Sequence, residues 1–421
     1  MIKKVGLLFV VVALLLIAAA PSTHPAQAAQ EQTITVWGFV WTADWLDSIK
    51  PGFEAAHPGV TVNIERFEYD PYRDAVVTAL AAGENAPDVV TLDPMWAGDL
   101  IRNGAVVALD GIENELNPAD FTGGGWELCG YAGKQYGVPA DLDFNVVFYR
   151  KDIYDPAIKA AGLDGFPANT ADFVKVAQAI TKDKQYAILL GVNDYYGFYQ
   201  GFLTPYNGRL VSEDGSTYLY NNEAAVAALT LYNDLANTYK VARLWDDASD
   251  GDQAAALKNG EVLAVMRGSW YATELAAVAP ELEGKWGVAP MPFGPEDRKY
   301  HASTGGACFS IPKASKAQDL ARQFLVYMEQ PEVMATYYEK VGGVPALQTA
   351  WQHIDLSQDN EYLGVPLAKL ISEWAVQVRG MELPSAEVAE HLGEAIYIVT
   401  KEGGDVKESL DNAVASSPAL K

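Results

Sequence analysis

Between Thr33 and Leu92 the sequence alternates strand-like and helix-like segments in the order β-α-β-α-β, and few topologies accommodate that order. Thr33-Ile34-Thr35-Val36-Trp37 alternates β-branched and apolar residues as a strand does. A helical stretch runs from about Ala43 to His57 and stops at His57-Pro58-Gly59, after which Val60-Thr61-Val62-Asn63-Ile64 resumes the strand pattern. Asp70-Pro71 reads as an N-cap with proline at the first helical position, opening a helix to about Ala82. Pro87 to Leu92 is a buried-type strand. The order implies an open, mostly parallel sheet with helices on its faces. Ligands of such sheets sit beyond the carboxyl ends of strands, here Trp37-Gly38-Phe39-Val40-Trp41 and Asp93-Pro94-Met95-Trp96.

Ahead of this block, Lys3 and Lys4 precede an apolar run from Val5 to Ala20 and a small-residue stretch ending Ala26-Gln27-Ala28. That composition is a signal peptide's, with cleavage expected after Ala28. No cysteine lies near the cut to carry a lipid, so the mature chain is expected free in the periplasm or secreted. No later apolar stretch approaches the roughly 20 residues of a membrane-spanning helix. Without residues 1–28, 393 of the 421 residues remain, which is long for one hydrophobic core and suits two domains. Setting aside Lys3 and Lys4 leaves 28 basic against 55 acidic residues, a net charge of −27. Such a field disfavours nucleic acid and acidic lipid surfaces. Cys129 and Cys308 are too few for a disulfide scaffold or a cysteine metal cluster; one disulfide and two buried thiols are both compatible with the sequence.

A second block of helices runs from about Thr170 to Glu281, with turns at Asn207-Gly208 and Glu213-Asp214-Gly215, and reads as a second α/β lobe. His301 to Ile311 then returns to strand-like sequence, and Lys316 to Glu339 and Glu387 to Thr400 carry apolar helical faces. No long linker separates the blocks, so several segments are expected to cross between lobes.

Four segments in order carry a resemblance: TITVWGF leading to FEAAHPGVTVNI; APDVVTLDPMWAGDLIRNGAVVALD; KQYGVPADLDFNVVFYRKD; and GEVLAVMRGSW followed by STGGACFSIPKASK and GGVPA. Together they resemble the family-1 extracellular solute-binding proteins of ABC sugar importers, the maltose-binding-protein type. The resemblance implies a class II periplasmic-binding-protein fold, α/β and two-lobed, each lobe a mostly parallel sheet flanked by helices. It places hinge crossings near Ala140 to Asn145, Arg298 to Gly305 and Val344 to Trp351. The N-terminal lobe would comprise 29–141 and 303–346, and the C-terminal lobe 142–302 and 347–421. It further implies closure on a carbohydrate, delivery to membrane permease subunits, no enzymatic activity, and a monomer. Val388 stands where some members place a ligand-stacking aromatic.

Sugar rings offer apolar C–H faces and a rim of hydroxyls, so a site needs flat aromatic surfaces and a few fixed polar groups. Trp37 and Trp41 are candidates from lying just after the first strand, and Trp96 and Trp270 from matching cleft-facing positions of the family; as plain packing residues each would fill a core. Tyr195, Tyr196 and Phe198, with Tyr199, form an aromatic cluster in a Gly/Asn/Asp-containing loop, either a cleft wall or a local staple. Carboxylates accept strong, charge-assisted hydrogen bonds from hydroxyls. Asp93 follows a strand end, Asp143 falls where the family places an acid on the first crossing, and Asp141 shares a face with Asp143 if that segment is extended. A helix N-cap and a hinge salt bridge are the structural alternatives for Asp93 and Asp143. Gly305 and Gly306 would let backbone approach a ligand closely, or form a bulge.

Catalytic patterns are weaker. A glycoside hydrolase needs two carboxylates held about 5 to 9 Å apart, and nothing in the sequence singles out a pair. The five histidines are scattered, and no zinc-helix pattern, nucleophile elbow or Gly-rich phosphate loop is present, so no metal or cofactor is expected. A polyamine, a metal complex or a glycerol phosphoester remains an alternative ligand, the last requiring Arg or Lys in the cleft.

Overall fold

A computed structural model describes residues 31–420 apart from Glu84, Ala140, 213–215, 247–249 and Pro384. The expected signal segment 1–28 and the turn at 213–215 lie outside the described residues. The chain opens with β1 (Gln32–Phe39), α1 (Val40–Ala56), β2 (Val60–Phe67), α2 (Tyr69–Ala82), β3 (Val89–Leu92) and α3 (Pro94–Arg102). There follow β4 (Gly137–Pro139), β5 (Asp143–Phe144), β6 (Val146–Arg150), β7 (Ile188–Gly191), β8 (Ala242–Trp245), β9 (Ala264–Arg267), α4 (Tyr271–Val278) and β10 (Trp286–Ala289). The remaining elements used below are β11 (Ala302–Gly305), β12 (Cys308–Ser310), α5 (Pro331–Val341), β13 (Val378–Arg379) and α6 (Ala386–Tyr397).

β1 pairs in parallel with β2 and β3, as the β-α-β-α-β order requires. Ile34, Val36, Val62 and Leu92 are fully buried in this sheet, and α1 adds Trp45, Leu46 and Phe53 to its core. α2 starts earlier than expected: extended Glu68 is its N-cap, so Asp70 falls inside the first turn and does not cap it. The helix ends where Gly83, at φ 66°, supplies the left-handed residue that a Cβ disfavours. The expected single helix from Lys316 to Glu339 is two, Gln318–Met328 and α5, because Pro331 at the start of α5 has no N–H to continue the first ladder.

Both sheets share one plan. In the first, of order β2-β1-β3-β12-β4, β12 runs antiparallel to both neighbours. In the second lobe β8 pairs in parallel with β7, a parallel bridge between Tyr186 and Val262 links β7 towards β9, and β6 lies antiparallel between β9 and β10. Each sheet is therefore mostly parallel with one reversed strand. The reason is connectivity: β12 follows β11 and β6 follows β5, and β5 and β11 are the segments that cross between lobes. A strand entering a sheet from the edge where the parallel strands end must run against them. The crossings pair with each other, Gly305 opposite Asp143 and Thr304 opposite Phe144, and β13 adds to β11 in parallel. Cys308 in β12 is disulfide-bonded to Cys129, 179 residues away, with Cα atoms 5.8 Å apart, which settles the pairing the sequence left open.

Candidate functional site

The crossings meet at the carboxyl ends of both sheets, and a cleft of about 1270 Å³ opens there. Its floor is built on Asp141 and Asp143, alternate residues of an extended segment and so on one face, as the spacing predicts. Asp141 Oδ1 accepts the Ala307 N–H at 2.9 Å, and Leu142 N–H donates to the Val344 carbonyl, so three segments are tied together at one point. Gly306 has φ +108°, and a Cβ there would lie 2.6 Å from the Asp141 carbonyl oxygen, so only glycine lets the second crossing lie on the first. Burial, then the neighbouring Asp143 and Asp93, push the Asp141 carboxyl up to about 8. Burial raises Asp143 to about 6, with the indole N–H of Trp270 holding it down and Asp93 adding to the rise.

Aromatic surfaces face the cleft from both lobes. On the first, Trp41 stacks on Phe39, with centroids 4.8 Å apart and planes at 14°, and lies 6.1 Å from Tyr69. Trp41 is 42% exposed, so this ladder presents a flat face to the cleft. Tyr69 Oη donates to Asp93 Oδ2 at 2.8 Å, joining the platform to an acid. On the second lobe Trp270, 39% exposed, precedes α4, and its Nε1 donates to Asp143 Oδ2 at 3.1 Å. A Cβ on Gly268 would sit 1.8 Å from Asp143 Oδ1 and 2.4 Å from Trp270 Nε1, so the absent side chain makes that contact possible. Tyr195 and Tyr196 lie on the short helix Tyr195–Phe198 that follows β7, capped by Asp194 through the Gly197 N–H.

Of the residues singled out from sequence, Trp41, Asp93, Asp143, Tyr195, Tyr196, Trp270 and Gly306 line the cleft together. Four do not. Trp37 turns away from the cleft: its ring packs on Phe67 at 4.7 Å, and only its carbonyl is used, accepting from Tyr72 and Thr91 hydroxyls. Trp96 is 8% exposed and packs edge-on against Tyr72 in the core beneath α3. Phe198 is fully buried against Phe202 and Tyr232, two residues on from Tyr196 and so on a different side of the helical turn from it. Gly305 stands behind the lining, where a Cβ would meet the Tyr196 hydroxyl at 1.9 Å; it makes room for Tyr196. Val388 is a core residue of α6. The sequence reading passed over Tyr69, Trp245 and Arg267, which also line the cleft. Each lies at or just past the carboxyl end of a strand, β2, β8 or β9, so the rule applied to β1 and β3 would have found them.

Two sheets whose connecting strands cross where their carboxyl ends meet, enclosing an aromatic and acidic cleft, define a hinged ligand-capturing protein. Residues 40–335 match the profile of the bacterial extracellular solute-binding proteins, and the chain belongs to that family. It is 27% identical over 350 residues to the maltodextrin-binding protein MdxE of Bacillus subtilis strain 168, covering 82% of this chain and 80% of that one. It is also 27% identical to the diacetylchitobiose binding protein DasA of Streptomyces coelicolor, covering 70% of this chain and 68% of the relative. The sugar-binding protein MalE of Xanthomonas citri superposes with a TM-score of 0.77 at 22% identity, over 91% of this chain and 96% of that one, which establishes the shared two-lobed fold. The family and these neighbours are binding proteins. Among the described residues, no helix is long and apolar enough to cross a membrane.

Proposed function

We propose that the chain captures a carbohydrate by hinge closure and hands it unaltered to the permease of an ABC importer. The observation that carries this reading is the pair of exposed platforms, Trp41 with Tyr69 on one lobe and Trp270 on the other, across a cleft floored by hydrogen-bonding acids. Flat aromatic faces suit the C–H faces of sugar rings, and carboxylates suit vicinal hydroxyls. The volume exceeds the roughly 300–1,000 Å³ of ordinary small-molecule sites, so an oligosaccharide fits the space. Among the described lining residues Arg267 is the one base, which disfavours a glycerol phosphoester. A turnover role is disfavoured by the anchoring of Asp141 to Ala307 and of Asp143 to Trp270 in the hinge itself. We assign the first lobe to 29–141 and 303–346 and the second to 142–302 and 347–421, and expect an extracytoplasmic monomer after removal of residues 1–28. The acidity of the cleft favours one second reading, a polyamine.

The reading is tested by following tryptophan fluorescence and thermal melting of the mature chain against mono- and oligosaccharides, polyamines and glycerol phosphoesters. A ligand that binds the folded form raises the melting temperature by mass action. The expected result is a sugar that shifts both signals and is recovered intact. A shift by polyamines alone, or cleavage of a bound glycan, overturns it.

A further inference from the structure

Tyr337, midway along α5, borders the cleft although it is only 1% exposed. Its ring is clamped. Trp45 meets it edge-on, with centroids 5.1 Å apart and planes at 84°, and the Trp45 indole N–H donates to Thr336 Oγ1 of the same helix at 3.0 Å. The chain returns past the ring at Gly343, where a Cβ would lie 2.3 Å from Tyr337 Cε1 and 3.3 Å from Asp141 Oδ2. Only a glycine lets the phenol end of the ring and the Asp141 carboxylate flank this one stretch of backbone. Asp141 uses its other oxygen, Oδ1, to accept the Ala307 N–H, so Oδ2 is the one turned towards Tyr337. The Tyr337 hydroxyl makes no hydrogen bond to any described residue. The Tyr195 hydroxyl is sealed from solvent; that of Tyr337 is not, so the sliver of Tyr337 left open lies at its hydroxyl end.

An open cleft lets water pair with a phenol. Closure expels that water, and an enclosed hydroxyl without a partner is costly, so the ligand has to supply one. A phenol both donates and accepts, and so does a free sugar hydroxyl, whereas an apolar group offers neither. The clamp on the ring fixes where that partner sits. We propose that Tyr337 is a specificity-determining residue, whose hydroxyl pairs with one free hydroxyl of the bound sugar in the slot beside Asp141 Oδ2. The inference rests on the carbohydrate reading above and adds a requirement to it: the sugar unit at the cleft floor carries an unsubstituted hydroxyl facing Tyr337. A site built to hydrogen-bond a ligand hydroxyl rejects the analogue that lacks it, because its own enclosed polar groups are then left unpaired.

The test compares the mature wild type with Tyr337→Phe, which keeps the clamped ring and removes the hydroxyl alone. Both are titrated calorimetrically with the monosaccharides and disaccharides of glucose, galactose, arabinose and N-acetylglucosamine, and then with the single-position deoxy analogues of the sugar that binds. The hydroxyl has no protein partner to lose, so the ligand-free melting temperature should not fall in the variant. Its affinity for the parent sugar should drop roughly tenfold, the share of one hydrogen bond. One deoxy analogue should bind the wild type at least roughly tenfold more weakly than the parent does, and should bind both proteins alike, because the two changes remove the same hydrogen bond and their losses do not add. A purely structural role for the hydroxyl gives no such dependence on a single ligand position. A variant that binds the parent sugar as the wild type does overturns the inference and leaves the carbohydrate reading standing. So does a loss that every deoxy analogue shows in full, or a clear fall in ligand-free melting temperature. Binding of no sugar in the panel overturns the carbohydrate reading and the inference together.

Discussion

Replacing Asp141 with asparagine should change how the ligand-free protein's stability depends on pH. In the folded protein Asp141 keeps its proton up to about pH 8, because burial and then the neighbouring Asp143 and Asp93 disfavour its charge. An unfolded aspartate releases its proton near about pH 3.9. Between those values the folded state binds more protons than the unfolded one, so the free energy of unfolding falls as pH rises, and the stabilisation present at low pH is lost on the way to about 8. Each extra bound proton contributes at most about 1.4 kcal/mol per pH unit, or about 3 kcal/mol between about pH 5 and about pH 7. Water in the cleft screens the site, so roughly 1–2 kcal/mol is the realistic share. For a chain of this size that is about 1–2.5 °C in melting temperature. The Asp141→Asn variant would keep a side-chain acceptor for the Ala307 N–H without the titration. Differential scanning calorimetry of both proteins across this range should show the wild type losing about 1–2.5 °C relative to the variant as pH rises. Parallel pH profiles, or a wild type that gains on the variant with rising pH, would refute the reasoning.

Trp270→Ala and Trp41→Ala should each weaken sugar binding by roughly tenfold or more with little change in ligand-free melting, since both rings are exposed; a fluorescence or calorimetric titration decides it. Trp96→Ala should do the reverse, costing about 3–5 kcal/mol of stability as a core truncation and leaving affinity near wild type once folded, as denaturant titration and binding would show. Gly306→Ala should destabilise by about 1–3 kcal/mol, because φ +108° is strained for alanine and the Cβ collides with Asp141 backbone. Reduction of the Cys129–Cys308 disulfide, or Cys→Ala at both positions, should cost about 2–5 kcal/mol, measured as a fall in denaturant midpoint.

The sheet of the first lobe was legible because parallel βαβ units leave strong periodic signals: β1, α1, β2 and β3 fall within a few residues of their expected places. Helix starts were less so. Glu68 caps α2 through backbone geometry alone, with no side-chain hydrogen bond to mark it, while Asp70-Pro71 mimicked the usual signature. The reversed strands β6 and β12 were invisible to period, since a short apolar strand reads the same in either direction; their sense comes from the crossings before them. For the site, position relative to strand ends served well for Trp41 and Asp93, whereas facing direction did not follow from position. Trp37 sits at a strand end yet lays its ring on Phe67, and Phe198 shares a helical turn with Tyr195 but packs into the core on Phe202 and Tyr232. The roles of Gly268 and Gly305 depend on what lies opposite them in space, Asp143 with Trp270 and Tyr196, which no local pattern encodes.

Small-angle X-ray scattering of the mature protein, with and without a saturating sugar identified by the binding panel, tests capture by hinge closure most directly. Closure brings the Trp41 and Trp270 platforms together over the ligand, so the radius of gyration should fall on binding and return to its starting value when the sugar is dialysed away. A bound sugar that leaves the scattering curve unchanged would contradict the clamp.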